Sequence, residues 1–537
     1  MTNKGLILIS LLLAAFAINL DTTIVNVALP TLVRELHSSN SQLQWIVDAY
    51  NLVFVAFLLV AGSLSDRFGR KGMLLAGLTV FGAASAAGGL MTSSGGLIAA
   101  RAVMGLGAAM VFPATLSLIS NVFVERAERA RAIGLWGATA GIAIALGPIA
   151  GGWLLEHFSW SSIFFAMTPV AALGALLVVR FVPTSRDESA PGLDRPGFLL
   201  SSTAMAALVY TIIEAPLHGW SSARTLAGFA LAGVLLAGFV ARERRTNEPM
   251  LDVRLFANPR FTAASGSVTV AFFSLFGFIF LMTQFFQFIK GYGPLSTGVH
   301  LLPVAISVGV ASVLGTQLAV RVGTKLVVAA GLVMVAAFYA WVAATVAPGT
   351  RYGTIAAQMV LYGTGMGLTS APATEAIMGV VPRAKAGVGS AVNDTTRLLG
   401  GTLGVAIIGS VYASLYSSRL SEHLPAKLPA GLAQLAHNSV GAALGVARGL
   451  SAGGHEVLAG GVAHAASSAF VDGLSLGCVV AGAVAAAGAV MAALLLPAFP
   501  SSEPEEPVTA EAPAPAVPPA PSQEQPVVRS GAPSLST

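Results

Sequence analysis

Runs of about twenty apolar residues, separated by short polar connectors, recur along almost the whole chain. A helix rises about 1.5 Å per residue, so each run is long enough to cross the roughly 30 Å hydrocarbon core of a bilayer. In that medium every backbone N–H and C=O must find its partner within the protein, which makes a helix the only fit for an isolated run. The chain has 537 residues, 55% of them hydrophobic and only 10% charged, a balance that leaves too little polar surface for a water-soluble globule. The expected fold class is therefore an all-α polytopic membrane protein. Fourteen spans are expected, beginning near residues 5, 44, 73, 97, 132, 162, 198, 224, 260, 298, 326, 354, 388 and 468. The first run is too long for the core of a secretory leader, no small-residue cleavage site follows it, and it is read as span 1.

The net charge of +5 does not point to nucleic acid, because the basic residues are scattered over short connectors instead of sharing a face. Their distribution reports orientation. Arg67, Arg70 and Lys71, then Arg126, Arg129 and Arg131, then Arg242, Arg244, Arg245, Arg254 and Arg260 fall on one side, against Arg34, Lys290, Arg351 and Arg419 on the other. The positive-inside rule then expects a multi-pass protein of the cell (inner) membrane with both termini cytoplasmic. The single cysteine, Cys478, lies in the last run, so no internal disulfide can form and the thiol is expected to be a packing residue. All eight histidines fall in or beside expected outer loops without the spacing of a metal site, and no metal ligand is assigned.

An internal repeat sets the domain plan. Leu64, Arg67, Gly69 and Lys71 follow span 2, and Leu318, Arg321, Gly323 and Lys325 follow span 10 at the same relative positions. If spans 7 and 8 are an insertion, the copies occupy equivalent places in two six-helix halves, the plan of a secondary transporter built around a midplane cavity. The expected divisions are an N-terminal half over 1–183, two inserted helices over 184–259 and a C-terminal half over 260–499. Within the last, 413–467 is expected to be a long outer loop with short helices. Residues 500–537, dominated by Pro, Ala, Glu and Ser, are expected to form a disordered cytoplasmic tail.

Several segments carry a family resemblance. The sequence GSLSDRFGRK at 62–71 is similar to the signature loop between spans 2 and 3 of major facilitator transporters. Gly62 permits close helix approach, and Asp66 among Arg67, Arg70 and Lys71 can form a charge network that favours one of two domain arrangements, with Gly69 between them. LDTTIVNVALP at 20–30, Arg101 with Gly105 and Gly107 in span 4, and Gly147, Pro148, Gly151 and Gly152 in span 5 resemble motifs of the fourteen-span drug:proton antiporters, the group that includes quaternary-ammonium exporters. Ala143 stands where the span 5 motif usually has glycine, and Ser161 and Ser162 follow Trp160 where an arginine is common. The segments 284–303 and 387–406 fit the same group. The resemblance implies a major facilitator fold and proton-coupled efflux of amphipathic drugs or drug-like metabolites by alternating access, as in antibiotic resistance. It also implies small-molecule substrates, protons and the lipid bilayer as partners, activity as a monomer, and a proton gradient in place of any cofactor. No phosphate-binding glycine loop of the kind that would bring ATP is present, and no enzymatic activity is expected. An exporter of one endogenous metabolite or lipid, or a sensor that has lost transport, fits the same fold.

Ionisable groups within spans are costly and so become functional candidates. Asp21 lies past the middle of span 1, and by resemblance Arg101 is its neighbour. Asn19, Thr22, Thr23 and Asn26 share one helix face while Asp21 points almost the opposite way, so either the stripe or the acid faces the cavity. In span 13, Ser390, Asn393, Asp394 and Arg397 share a face with Gly401 and Gly404, and Asp394 and Arg397, three apart, can pair. By resemblance Asp394 matches an acid associated with proton coupling; a static pair with Arg397 is the alternative. Asn393 and Leu398 stand where such exporters can carry other acids. Glu375, near the inner end of span 12, is a further coupling candidate, while it and Asp48 and Glu214 also read as boundary residues. Asn19, Thr23, Asn26, Gln284, Gln287 and Asn393 are candidate cavity residues. Of the phenylalanines crowded into span 9, from Phe272 to Phe288, most are expected to face lipid or neighbouring helices.

Overall fold

The structure, a computed structural model, describes residues 4–186, 194–246, 249, 251, 253–380 and 386–497; within the helices the side chains of a few residues, Asp66 among them, are not described. Residues 500–537 lie outside the described set, and with them the expected tail.

Among the described residues every regular element is helical. The helices are α1 (Lys4–Leu36), α2 (Asn40–Phe68), α3 (Arg70–Gly89), α4 (Ser94–Val122), α5 (Arg126–His157), α6 (Ser162–Phe181), α7 (Arg195–His218), α8 (Ala223–Arg245) and α9 (Pro259–Gln284). They continue as α10 (Pro294–His300), α11 (Leu302–Val322), α12 (Thr324–Thr345), α13 (Tyr352–Val380), α14 (Ala386–His423), α15 (Ala430–Asn438), α16 (Val440–Ala452) and α17 (Glu456–Leu495). Polar side chains close the exposed N-termini. Ser39 and Gln42 form a reciprocal capping box on α2, and Ser93, Asp194, Ser222 and Asn258 each accept a backbone N–H of the helix they start.

Among the described residues, eleven helices are long and apolar enough to cross a membrane, α10 and α11 counting as one. A twelfth is α5, whose two segments meet at a 42° bend. The remaining two expected spans coincide with α2 and α13, each 29 residues and so about 43 Å long. Starts agree with expectation to within a few residues, except that α17 begins at Glu456, well before 468. The outer loop is correspondingly shorter, because α14 runs on to His423 and α15 and α16 fill the interval. Alternation of direction defines two faces: the near face, where α1 begins, and the far face, where it ends.

The packing repeats. In the first half α2 and α3 both lie on α4, α3 on α6, and α1 on α5 and α6; in the second, α11 and α12 lie on α13, α12 on α17, and α9 on α14 and α17. The halves meet through two equivalent pairs, α2 with α14 and α5 with α10. The repeated loop is a one-residue break in each copy. Gly69 between α2 and α3 has φ +116°, and Gly323 between α11 and α12 has φ +95°. Each donates its N–H back four residues, to Ser65 and Ala319. A side chain at either position would meet the left-handed penalty that glycine avoids. The inserted helices α7 and α8 pair with each other, and α7 leans on α2 and α14. Their hairpin is clasped by Arg242 to Asp194 (3.2 Å) at one end and by Arg224 to the Tyr210 hydroxyl (2.8 Å) at the other.

Helix α9 contacts α1, α13, α14 and α17, so it is enclosed by protein. Phe273, Phe276, Phe278, Phe280, Phe285 and Phe286 are therefore buried against neighbours, where the sequence left lipid as an option. At the far face the last turn of α9 widens into a π-helical turn at Phe285–Ile289, a local form often associated with functional sites.

Candidate functional site

Two acid–base groups lie in the interior, one in each half. In the first, α4 approaches α2 and α3 closely because Gly105 sits against the Tyr50 carbonyl and Gly107 against Phe81, where a Cβ would come within 2.7 Å of a backbone nitrogen. That approach pushes Arg101 between α1 and α2. Its Nη1 donates to Asp21 Oδ2 at 2.5 Å, its Nε donates to the Ile46 carbonyl at 3.0 Å, and the guanidinium lies 4.3 Å from the centroid of the Tyr50 ring. The Tyr50 hydroxyl in turn donates to the Ile18 carbonyl at 3.2 Å, returning to α1. Both side chains of the pair are 1% exposed. Asp21 Oδ1 has no hydrogen-bond partner, so one lone-pair set of the carboxylate is unused.

On α1 the acid and the stripe differ in part, since Thr23 and Asn26 are as buried as Asp21. Asp21 is sealed against Arg101, whereas Asn19 and Thr22 are partly exposed, with Asn19 and Asn26 bonded to carbonyls of their own helix. Thr23 turns to α5 and donates to the Ala143 carbonyl at 3.1 Å. Here the span 5 motif acts on two faces. Gly147 and Gly151 receive Thr23 and Ile24 of α1, while Pro148 and Gly152, one position on, receive Gly298 and Leu295 of α10. A Cβ on Gly152 would lie 2.6 Å from the Leu295 Cα, so this contact between the halves is backbone on backbone.

In the second half α13 and α14 supply the polar groups and α9 the ring. Thr374 donates to Asn393 Oδ1 at 3.0 Å and accepts from Arg397 Nη2 at 3.3 Å. The Arg397 guanidinium lies 5.2 Å from the Phe272 ring centroid and feels the charge of Asp394 one turn earlier. Gly401 and Gly404 pack on Phe276 and Phe273, which fixes α14 against α9. Asp394 is 7% exposed. Arg397 is only partly buried, and its Nε has no hydrogen-bond partner among the described residues.

Other candidates are dispersed. Gln287, in the π-helical turn, donates to the Val27 carbonyl of α1 at 2.9 Å, and Gln284 bonds its own helix, each keeping an unpartnered carbonyl oxygen. Gln287 also lines a far-face cavity of about 580 Å³ with Arg34, Tyr292, Arg448 and Glu456. Glu375, next to Thr374 in sequence, is exposed and acts electrostatically on Arg260. In the 62–71 segment Gly62 packs on Pro113, Arg67 is exposed, Arg70 N–H donates to the Ser185 carbonyl and Lys71 to that of Val179. The Asp66 side chain lies outside the described set, so the expected charge network is not described. Sequence reasoning singled out neither Phe272 from its neighbours nor Thr374, since ring count and hydroxyls carry no address.

The sequence profile of the Major Facilitator Superfamily matches residues 11–405. The chain is 37% identical over 406 residues to the multidrug resistance protein Stp of Mycobacterium tuberculosis, covering 76% of this chain and 75% of that one. It is 35% identical to the multidrug efflux pump LfrA of Mycolicibacterium smegmatis (76% and 81% covered) and 33% identical to the tetracenomycin C resistance and export protein of Streptomyces glaucescens (95% and 94%). A bacterial homolog of the human lysosomal transporter Spinster, in its inward-facing and occupied conformation, superposes with a TM-score of 0.65 at 16% identity, over 93% of this chain and 98% of the other. The chain belongs to the Major Facilitator Superfamily of membrane transporters.

Proposed function

We propose that the protein exports amphipathic drugs or drug-like metabolites in exchange for protons, by alternating access between its two halves. The observation that carries this reading is the Asp21–Arg101 pair. A carboxylate and a guanidinium withdrawn from water inside a membrane span are costly to keep unless their charge state takes part in the cycle. Relatives named for multidrug resistance and efflux supply the substrate class. Asp21 and Asp394 are assigned proton coupling, with Arg101 and Arg397 as their partners and Glu375 as the next candidate. Asn19, Thr23, Asn26, Gln284, Gln287 and Asn393 are assigned to the substrate path, and residues 62–71 to the balance between conformers. The protein works as a monomer, with no cofactor beyond the gradient.

The test is transport in proteoliposomes. An imposed proton gradient should drive accumulation of amphipathic cationic dyes, and dye addition should release protons from the purified protein. Asp66→Asn should slow turnover in the same assay with dye binding retained. Dye movement that ignores the gradient would refute proton exchange. A second reading is favoured by the tetracenomycin C relative, aligned over 95% of this chain: export of a single compound. Counterflow against a chemically varied panel decides between breadth and a single cargo.

The near face is assigned to the cytoplasm of a cell whose inner membrane holds the protein, by the excess of Arg and Lys there. In a Cys478→Ser background, single cysteines placed in 500–537 and in 425–455 should label from opposite sides. Labelling of both from outside would overturn the orientation and the fourteen-span count together.

A further inference from the structure

One buried group is unused by the mechanism above. On α2, Asn40, Gln44, Asp48 and Asn51 stand at i, i+4, i+8 and i+11, within about 80° of one another at 100° per residue. They are 7, 1, 0 and 1% exposed. The stripe starts in the first turn of α2 at the far face and runs about 16 Å toward the middle of the helix. It looks onto the seam between the halves: Gln44 Oε1 accepts from Ser410 of α14 at 3.1 Å, and Gly409 makes room for the Gln44 side chain. On one flank Trp45 and Leu52 turn to α7 and line a cavity of about 610 Å³.

Every member of the stripe has a polar atom with no hydrogen-bond partner among the described residues: Asn40 Oδ1, Gln44 Nε2, both carboxyl oxygens of Asp48, and Asn51 Oδ1. Asp48 is the extreme case. The charged and titratable groups of the elements packed on α2 lie elsewhere. Arg101 of α4, with Asp21 of α1, sits against the Ile46 carbonyl and the Tyr50 ring, on the opposite side of α2. Tyr210 and Glu214 of α7 border the cavity beside Trp45. Asp394 and Arg397 of α14 are about 24 and about 20 Å along that helix from Ser410. Tyr412 of α14 packs on Gly473 of α17 and Arg419 pairs with Glu422 and Asp472, and Arg70 and Lys71 of α3 are at the near face. An anion with neither oxygen bonded and no cation beside it is far costlier in such a seam than the neutral acid.

We propose that Asp48 is a proton-binding latch: the seam between α2 and α14 closes at the far face only when the Asp48 carboxyl carries a proton taken from that side. Opening the seam breaks the Gln44–Ser410 bond and lets water follow the stripe to Asp48. There the carboxyl O–H bond breaks, the proton passes to water as hydronium, and the carboxylate is solvated. Closing reverses the step, carboxylate and hydronium giving carboxylic acid and water. The far-closed state then holds one proton more than the far-open state, so acidity on the far side favours closure.

The test needs neither a gradient nor a substrate, so it is independent of the export reading. Spin labels at Glu156→Cys and Ser418→Cys, exposed positions near the far ends of α5 and α14, report the separation of the halves by double electron–electron resonance in nanodiscs with Cys478→Ser. Between pH 8 and pH 5 the ratio of far-closed to far-open protein should rise at least about threefold. In Asp48→Asn the protein should stay mostly far-closed from pH 5 to pH 8 and the change in the ratio should fall below half that of the parent, the remainder belonging to Asp21 and Asp394, while Asp48→Glu should keep the full response. A pH response in Asp48→Asn of half the parent's or more, or none in the parent protein, overturns the proposal. Without any substitution at Asp48, its modification by dicyclohexylcarbodiimide, read by peptide mass mapping, should fall as pH rises from 5 to 8; modification invariant with pH also overturns it.

Discussion

Asp21 and Arg101 share a pocket in which almost every direction is occupied: a carboxylate, a backbone carbonyl and an aromatic face close around one guanidinium, and the tyrosine beneath is itself tied to α1. Arg397 occupies the corresponding role in the second half with a looser set, a threonine hydroxyl at 3.3 Å, a ring at 5.2 Å and an Nε that has no partner. The first pair spans three helices of one half and is rigid by construction. In the second, Arg397 is partly exposed and its Nε has no partner among the described residues, which fits the role proposed for it of exchanging partners when cargo arrives. The same chemical pairing can thus serve as a structural tie with a titratable end, or as an adaptable contact, according to how many neighbours hold the cation.

The largest expected effect falls on the rigid pair. Arg101→Ala strands a carboxylate in a dry pocket, and truncating one partner of a buried pair typically costs about 3–5 kcal/mol. The purified variant should lose that much in unfolding stability, along with transport. Asp21→Asn should cost less, since the amide can still accept from Nη1. The double variant should then be more stable than Arg101→Ala alone, because no unpaired charge remains. Additive losses would mean that the two side chains are not coupled. Arg101→Lys should fail to rescue, because an ammonium cannot meet Asp21, the Ile46 carbonyl and the Tyr50 face at once.

The looser pair should respond in function before stability. Asp394→Asn is expected to cost less in unfolding than Arg101→Ala, because the amide keeps the shape of the carboxyl and Arg397 keeps its bond to Thr374 and its contact with the Phe272 ring. Gradient-driven dye accumulation should nevertheless fall sharply while energy-independent exchange persists. If Asp394→Asn destabilises the protein as much as Arg101→Ala does, the contrast between the two halves is wrong.

Much of this was legible beforehand, and the gaps have physical causes. Apolar length located the spans, because lipid admits few alternatives. It did not locate helix ends in 413–467: Ala and Leu favour helix in water and lipid alike, so α14 and α17 run past the apolar windows. Position along a span was readable, but not the partner across a seam. Asp48 therefore looked like a boundary residue, although the packing of α2 against its neighbours leaves it fully buried. The repeat at Gly69 and Gly323 could be seen as letters, and the structure adds why glycine stands there, a positive φ in both copies. Among the crowded phenylalanines only geometry selects Phe272, since rings on all sides of α9 have the same period as its packing.

That selection yields the smallest expected effect and the finest comparison between the halves. A guanidinium over an aromatic face gains about 0.5–2 kcal/mol, depending on how far water is excluded. Phe272→Leu keeps the apolar volume and removes the face, so Arg397 loses one of its few restraints. At about 1.4 kcal/mol per tenfold, apparent dye affinity should change by roughly two- to thirtyfold, with turnover little altered. Phe272→Tyr, which keeps the ring, should stay close to the parent. Tyr50→Leu in the first half should do more, since it removes the ring under Arg101 and also the hydrogen bond to the Ile18 carbonyl that ties α2 to α1. Tyr50→Phe separates those two contributions, retaining the face while losing the tie. Equal effects of Tyr50→Leu and Phe272→Leu on both stability and affinity would show that the two guanidinium sites are held with equal rigidity, and the division into a structural and an adaptable pair would not stand.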